Sequence, residues 1–178
     1  LVPALMAGNA VVIKPSEWVA WSSASFITMV REVLAEQGFD PELLQVVQGY
    51  AETGAALIDS GVDVLVFIGS VPNGRRVLQA AADKLVSVVL ELGGKDPLIV
   101  CEDAHLEQAV QAAVGGCFVN CGQNCVASER ILLHESRYAE FEARAAQLAR
   151  DLRQGPSQRE QVVDVGAMNT PLQLERVE

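Results

Sequence analysis

Short apolar runs alternate with helical patterns along this chain. Ala10–Lys14 ("AVVIK") is a β-branched run stopped by Pro15, apolar on both faces as in a buried parallel strand. Ser16 is placed to cap a helix to about Gln37, with Gly38 and Pro41 as its stop signals. "LLQVVQG" predicts a second strand, "ETGAALIDSG" a short helix and "VDVLVFIGS" a third strand. Asn73–Lys84 predicts a helix and "VSVVLELGG" a fourth strand. After Lys95 the pattern begins again. "DPLIVCEDA" reads as a strand entering a helix that Asp103 caps and that runs towards Gly115. "SERILLH" reads as a strand, Arg137–Arg153 as a charged helix and "QGPSQREQ" as a loop.

Strand and helix alternating at short spacing predict an α/β fold with a Rossmann-like parallel sheet. The glycine pair Gly93–Gly94 is the expected domain boundary, giving residues 1–92 and 93–178. "LVPALMAGN" offers no initiator Met and no helix or strand start, and "LQLERVE" falls inside a helical pattern. Both ends therefore read as cut from something longer.

Composition narrows the partners. The 178 residues carry a formal charge of −10, and half of them are hydrophobic. Such an acidic chain, without a basic cluster, is unsuited to a nucleic-acid backbone or an anionic membrane. No apolar stretch is long enough to span a bilayer. Four cysteines without a secretory segment suggest reduced thiols and a cytoplasmic setting.

Four stretches could carry chemistry. "VVIKPSE" puts Lys14 and Glu17 where a strand ends and a helix starts, the place at which doubly wound sheets bind nucleotides. A Lys can donate to, and a Glu accept from, a ribose diol; the plain alternative is a surface Lys and a first-turn Glu. "FIGSVPNGR" runs a strand into Gly69–Ser70 and a helix, a turn that can approach a phosphate, although no G-x-G-x-x-G fingerprint is present. "LELGGK" puts Glu91 near the end of a mostly buried strand, where burial would raise its pKa towards that of a general base. The alternative is an edge Glu partnered by water or Lys95.

"CFVNCGQNCVASER" holds Cys117, Cys121 and Cys125 every fourth residue, one face if helical. No Cys-x-x-Cys pair occurs, and His105 and His134 are badly spaced for structural zinc. Cys101 and Cys117 lie among apolar residues and read as core. Cys125 follows a polar turn in which a thiol can be exposed and its thiolate stabilised by backbone N–H groups.

"PALMAGNAVVIKPSE", "FIGSVPNGR", "LELGGKDPLIV" and "FVNCGQNCVASER" stand in an order and spacing that resembles the aldehyde dehydrogenase superfamily over essentially the whole chain. The resemblance implies that Cys125 is the nucleophile and Glu91 the general base. It implies that Lys14 and Glu17 hold the adenosine ribose of NAD, with NADP possible, and that Gly49 and Gly54 form the turn near the adenine. Ser70 would contact the pyrophosphate, while Phe67, Gly69 and Leu92 line the cofactor's end of the sheet. Ala51 departs from the glycine common in relatives at that turn.

The activity implied is NAD(P)-dependent oxidation of a small aldehyde to an acid through a cysteine thioester, in a homo-oligomer. Residues 1–92 would be part of the NAD-binding domain and 93–178 the first part of the catalytic domain. Val126 and Phe118 would line the inner end of the substrate tunnel. The family's second oxyanion donor and its nicotinamide-ribose Glu fall outside these 178 residues, so the chain alone is expected to be poorly active. The competing expectations are a CoA-acylating relative and a non-catalytic nucleotide-binding module.

Overall fold

The computed structural model describes residues 1–156 and 162–177. They form a mixed α/β fold with two compact units, Leu1–Ile68 with Pro72–Glu91, and Gly69–Val71 with Leu92–Glu178. The loop read at 154–161 lies mostly outside the described residues.

In the first unit, α1 (Val2–Met6) starts with Pro3 near its N-terminus, so a short helix stands where no element was expected. β1 (Val11–Ile13) pairs in parallel with β2 (Leu44–Val46), Val11 opposite Leu44. The helix between them is shorter than its capping signal implied. Ser16 Oγ accepts from the Trp18 N–H at 3.4 Å and caps a 3₁₀ turn, Glu17–Val19, before α2 (Ala20–Glu36) begins. α3 spans Ala51–Asp59 and α4 spans Val71–Ala82. β3 (Val64–Gly69) and β4 (Ser87–Leu92) form a second two-stranded sheet. Leu44 is fully buried, and Ile27, Ile58 and Ala81 are the other buried apolar residues here.

Continuous apolar runs did not produce fully buried strands. Val64, Val66 and Ile68 alternate outwards along β3 at 60–72% exposure. Side chains of a strand leave on opposite faces, and the described chain covers only one of them.

The second unit is a parallel pair, β5 (Asp96–Val100) and β6 (Ser128–Leu133), with α5 (Leu106–Phe118) and α6 (Tyr138–Asp151). Val100, Val110, Ala113, Val114 and Phe141 form its core, with Leu98, Ile131, Leu133 and Leu148 packed around them. α5 is capped by His105, whose Nδ1 accepts from the Gln108 N–H at 3.3 Å, and not by Asp103. The Ala104 N–H bonds back to the Cys101 carbonyl at 3.2 Å, and this turn delays the helix. His134 caps the 3₁₀ turn before α6 in the same manner. α7 (Pro171–Val177) is the last element. The described strands pair in three sheets of two, in keeping with the expected α/β fold. Among the described residues no helix is long and apolar enough to cross a membrane.

Candidate active site

Lys14 follows directly on β1 and is half-buried. Its Nζ donates to the Pro15 and Gly49 carbonyls, both at 2.8 Å, joining the carboxyl end of β1 to the turn after β2. An ammonium has three N–H donors, so one remains for a ligand. Gly49 has φ +152°, and a Cβ there would come within 2.0 Å of Thr53 Oγ1. A Cβ on Gly54 would meet Lys14 Cδ at 3.7 Å. Lys14, Gly49 and Gly54 are therefore gathered at one strand end, as a surface that keeps backbone open to a ligand. Glu17 is an exposed carboxylate in the first turn after β1. A spare cationic donor, an exposed acceptor and a side-chain-free turn fit a ribose and its adenine.

Phe67 is half-buried in β3, which ends at Gly69, and Ser70 is the single residue between β3 and α4. Glu91 and Leu92 close β4. Glu91 is exposed and not buried as expected; β4 alternates like β3, and Glu91 stands on the open face. Lys95 forms an ion pair with Glu129, not with Glu91.

The three spaced cysteines do not share a helix face. α5 ends at Phe118, and Asn120, Cys121 and Gly122 follow with φ of 52°, 57° and 70°. Three successive left-handed residues turn the chain abruptly; Asn tolerates that region and Gly prefers it, but Cys does not. A Cβ on Gly122 would lie 2.9 Å from the Cys117 carbonyl oxygen.

The thiols divide accordingly. Cys117 donates to the Ser128 carbonyl at 2.8 Å, and burial pushes its thiol pKa up. Cys121 donates to the Gly166 carbonyl at 2.9 Å. Cys101 lies just after β5 and is exposed, not core, because the turn leading to α5 carries it outwards. Cys125 is exposed as well. Its Sγ lies 3.7 Å from Asn124 Oδ1, which also accepts the Val126 N–H at 3.3 Å in an Asx-turn. Both candidate tunnel residues are exposed, Val126 at 67% and Phe118 at 39%. Among the described residues, no group of three or more His, Cys, Asp or Glu is placed to hold a metal ion.

The sequence pattern of the aldehyde dehydrogenase family matches residues 1–178, the entire chain. The chain belongs to that family. It is similar to a betaine aldehyde dehydrogenase of Cereibacter sphaeroides, 44% identical over 177 residues, covering 98% of this chain and 35% of that protein. PnpE from Pseudomonas sp. WBC-3 superposes with a TM-score of 0.88 at 38% identity, over 98% of this chain and 35% of PnpE. The NADP complex of the glyceraldehyde-3-phosphate dehydrogenase GapN from Methanocaldococcus jannaschii gives a TM-score of 0.90 at 28% identity, over 99% and 39% of the two chains. The chain spans little more than a third of the length of these relatives.

Pattern reading left out two residues that shape the cysteine loop of this aldehyde dehydrogenase chain. Asn120 Nδ2 donates to the Gln123 carbonyl at 3.1 Å, and Gln123 Nε2 returns a bond to the Asn120 carbonyl at 3.0 Å. Gln123 Oε1 accepts the Asn169 N–H at 3.0 Å. The available signal was Asn two positions before Gly, a pair suited to left-handed backbone.

Proposed function

We propose that this chain carries the cysteine and dinucleotide-binding parts of an enzyme that oxidises an aldehyde to a carboxylic acid with NAD or NADP. The single observation that carries the reading is the exposed Cys125 thiol on an Asx-turn, in a chain that matches the family from end to end.

The Cys125 thiolate adds to the aldehyde carbon; a C–S bond forms and the carbonyl electron pair moves to oxygen. The backbone N–H of Cys125 itself is assigned to stabilise the developing oxyanion. As the oxyanion electron pair re-forms the carbonyl, the C–H bond of the former aldehyde carbon breaks and a thioester is left on Cys125; a dinucleotide, when bound, would accept that hydride. Glu91 takes a proton from water, the resulting hydroxide attacks the thioester carbon, and the C–S bond breaks to return the thiolate. Solvent exposure of Glu91 gives that water direct access.

Lys14 and Glu17 are assigned to the adenosine ribose, and Gly49 and Gly54 to the turn that admits the adenine. Ser70 is assigned to the pyrophosphate, while Phe67, Gly69 and Leu92 complete the strand ends around the dinucleotide. A Glu at position 17 repels a 2′-phosphate and so favours NAD. PnpE has been solved with nicotinamide adenine dinucleotide and GapN with NADP, which supports a dinucleotide while leaving both forms within the family. Residues 1–92 and 93–178 are the proposed cofactor-binding and catalytic portions, of a cytoplasmic homo-oligomer.

The test is aldehyde-dependent reduction of NAD by the native gene product that carries these residues. Cys125→Ala is expected to abolish it, and Glu91→Gln to slow acid release while leaving the first hydride transfer. Unchanged turnover in Cys125→Ala would overturn the reading.

A further inference from the structure

We propose that Asn120, Cys121 and Gln123 are positioning residues that fix the Cys125 loop by clamping it to the segment Gly166–Asn169. The inference rests on the reading of Cys125 as nucleophile and adds to it the device that holds the nucleophile in place.

A run of left-handed residues that includes a non-glycine such as Cys121 is unfavourable in isolation. It persists only where its surroundings impose it. The reciprocal Asn120–Gln123 pair closes the turn on itself, at 3.1 and 3.0 Å. Two further bonds tie the turn to chain more than forty residues away, Cys121 to the Gly166 carbonyl at 2.9 Å and the Asn169 N–H to Gln123 Oε1 at 3.0 Å. Gln123 thus uses both ends of its amide, one inside the turn and one on the distant segment. Cys125 follows two residues later, and its thiol donates to Asn124 Oδ1 at 3.7 Å. Its orientation is inherited from the clamp.

Cys121 therefore has a purpose that its sulfur alone would not suggest. It is a half-buried donor to a backbone carbonyl, unlike exposed Cys101 and Cys125. A Ser at this position would keep the donor, and an Ala would lose it, at identical backbone strain.

The experiment is iodoacetamide alkylation of this chain followed by mass spectrometry, with each thiol's rate read separately across pH. Cys101 serves as an exposed internal reference. Wild-type Cys125 is expected to react faster than Cys101 at every pH. In Gln123→Ala that advantage is expected to fall about three- to tenfold, the equivalent of one net hydrogen bond, with the Cys101 rate unchanged. Cys121→Ala is expected to show the same loss and Cys121→Ser to restore most of it. These two variants decide the matter if Gln123→Ala does not fold.

Equal Cys125 rates in wild type, Gln123→Ala and Cys121→Ala would overturn the clamp while leaving Cys125 a reactive thiol. A parallel fall at Cys101 would also overturn it, since the effect would then be general loosening. Wild-type Cys125 no faster than Cys101 would instead sink the nucleophile reading on which the clamp depends.

Discussion

Lys14 donates to the carbonyl of Gly49, thirty-five residues away, at 2.8 Å, and thereby fixes the turn after β2 against the end of β1. The same ammonium bonds the Pro15 carbonyl, so one charged, half-buried group organises the strand end proposed to take the adenosine ribose. Lys14→Met keeps most of the stem and removes both bonds. A loss of about 1–3 kcal/mol is expected for charge-assisted bonds of this kind, measured by denaturant unfolding, together with weaker dinucleotide binding by calorimetry. Unchanged stability would mean that the bonds are replaced by water at no cost.

Gly49 is the more demanding position. Its φ of +152° and the 2.0 Å approach of a Cβ to Thr53 Oγ1 predict that Gly49→Ala lowers the melting temperature. Thr53→Ala should recover only part of the loss, because the backbone strain remains and the Thr53 Cβ itself would stand 2.9 Å away. Full recovery in the double variant would show that the conflict is one of side chains alone.

Phe141 packs from α6 into the core with Val100, Val110 and Val114 and is 3% exposed. Phe141→Ala should cost about 3–5 kcal/mol, read by thermal or denaturant unfolding. Its distance in sequence from the cysteine loop makes it a control for damage that reaches Cys125 only through the fold.

Asp164 gives a prediction about pH. Side-chain and backbone hydrogen bonds from Arg153, with side-chain distances of 2.7 and 2.8 Å, hold its carboxyl well below the usual carboxylate range. A carboxylate depressed in the folded state contributes stability above its unfolded pKa, about 3.9, and loses it as pH falls towards the lower folded value. Wild type should therefore melt above Asp164→Asn at neutral pH, and the gap should close below about pH 4. A gap that stays constant through acid would show that the pair does not contribute through ionisation.

Local signals carried the element order well. The stop signals Gly38 and Pro41, the β-branched run before Pro15 and the apolar stretch Pro97–Val100 all lie at element boundaries or within strands. These depend on neighbours in sequence, so they can be read from it. What depended on tertiary placement was not legible. Glu91 and Cys101 were expected in apolar surroundings because their sequence neighbours are apolar, yet each lies on an open side. The spacing of Cys117, Cys121 and Cys125 suggested one helix face, but α5 stops at Phe118 and left-handed backbone follows. The His residues, unsuited by spacing to a metal, serve as helix caps through their Nδ1 atoms. Cys125 and Glu91 were candidates from their local setting, a polar turn and a strand end, but their roles as nucleophile and base came only from the resemblance.

The central claim is that Cys125 carries the substrate carbon as a thioester. The direct measurement is mass spectrometry of the Glu91→Gln form of the native gene product after mixing with NAD and an aldehyde. The account predicts an acyl adduct that maps to the peptide containing Cys125 and is absent from Cys125→Ala. NADH production with no adduct on Cys125, or an adduct on another cysteine, would contradict it.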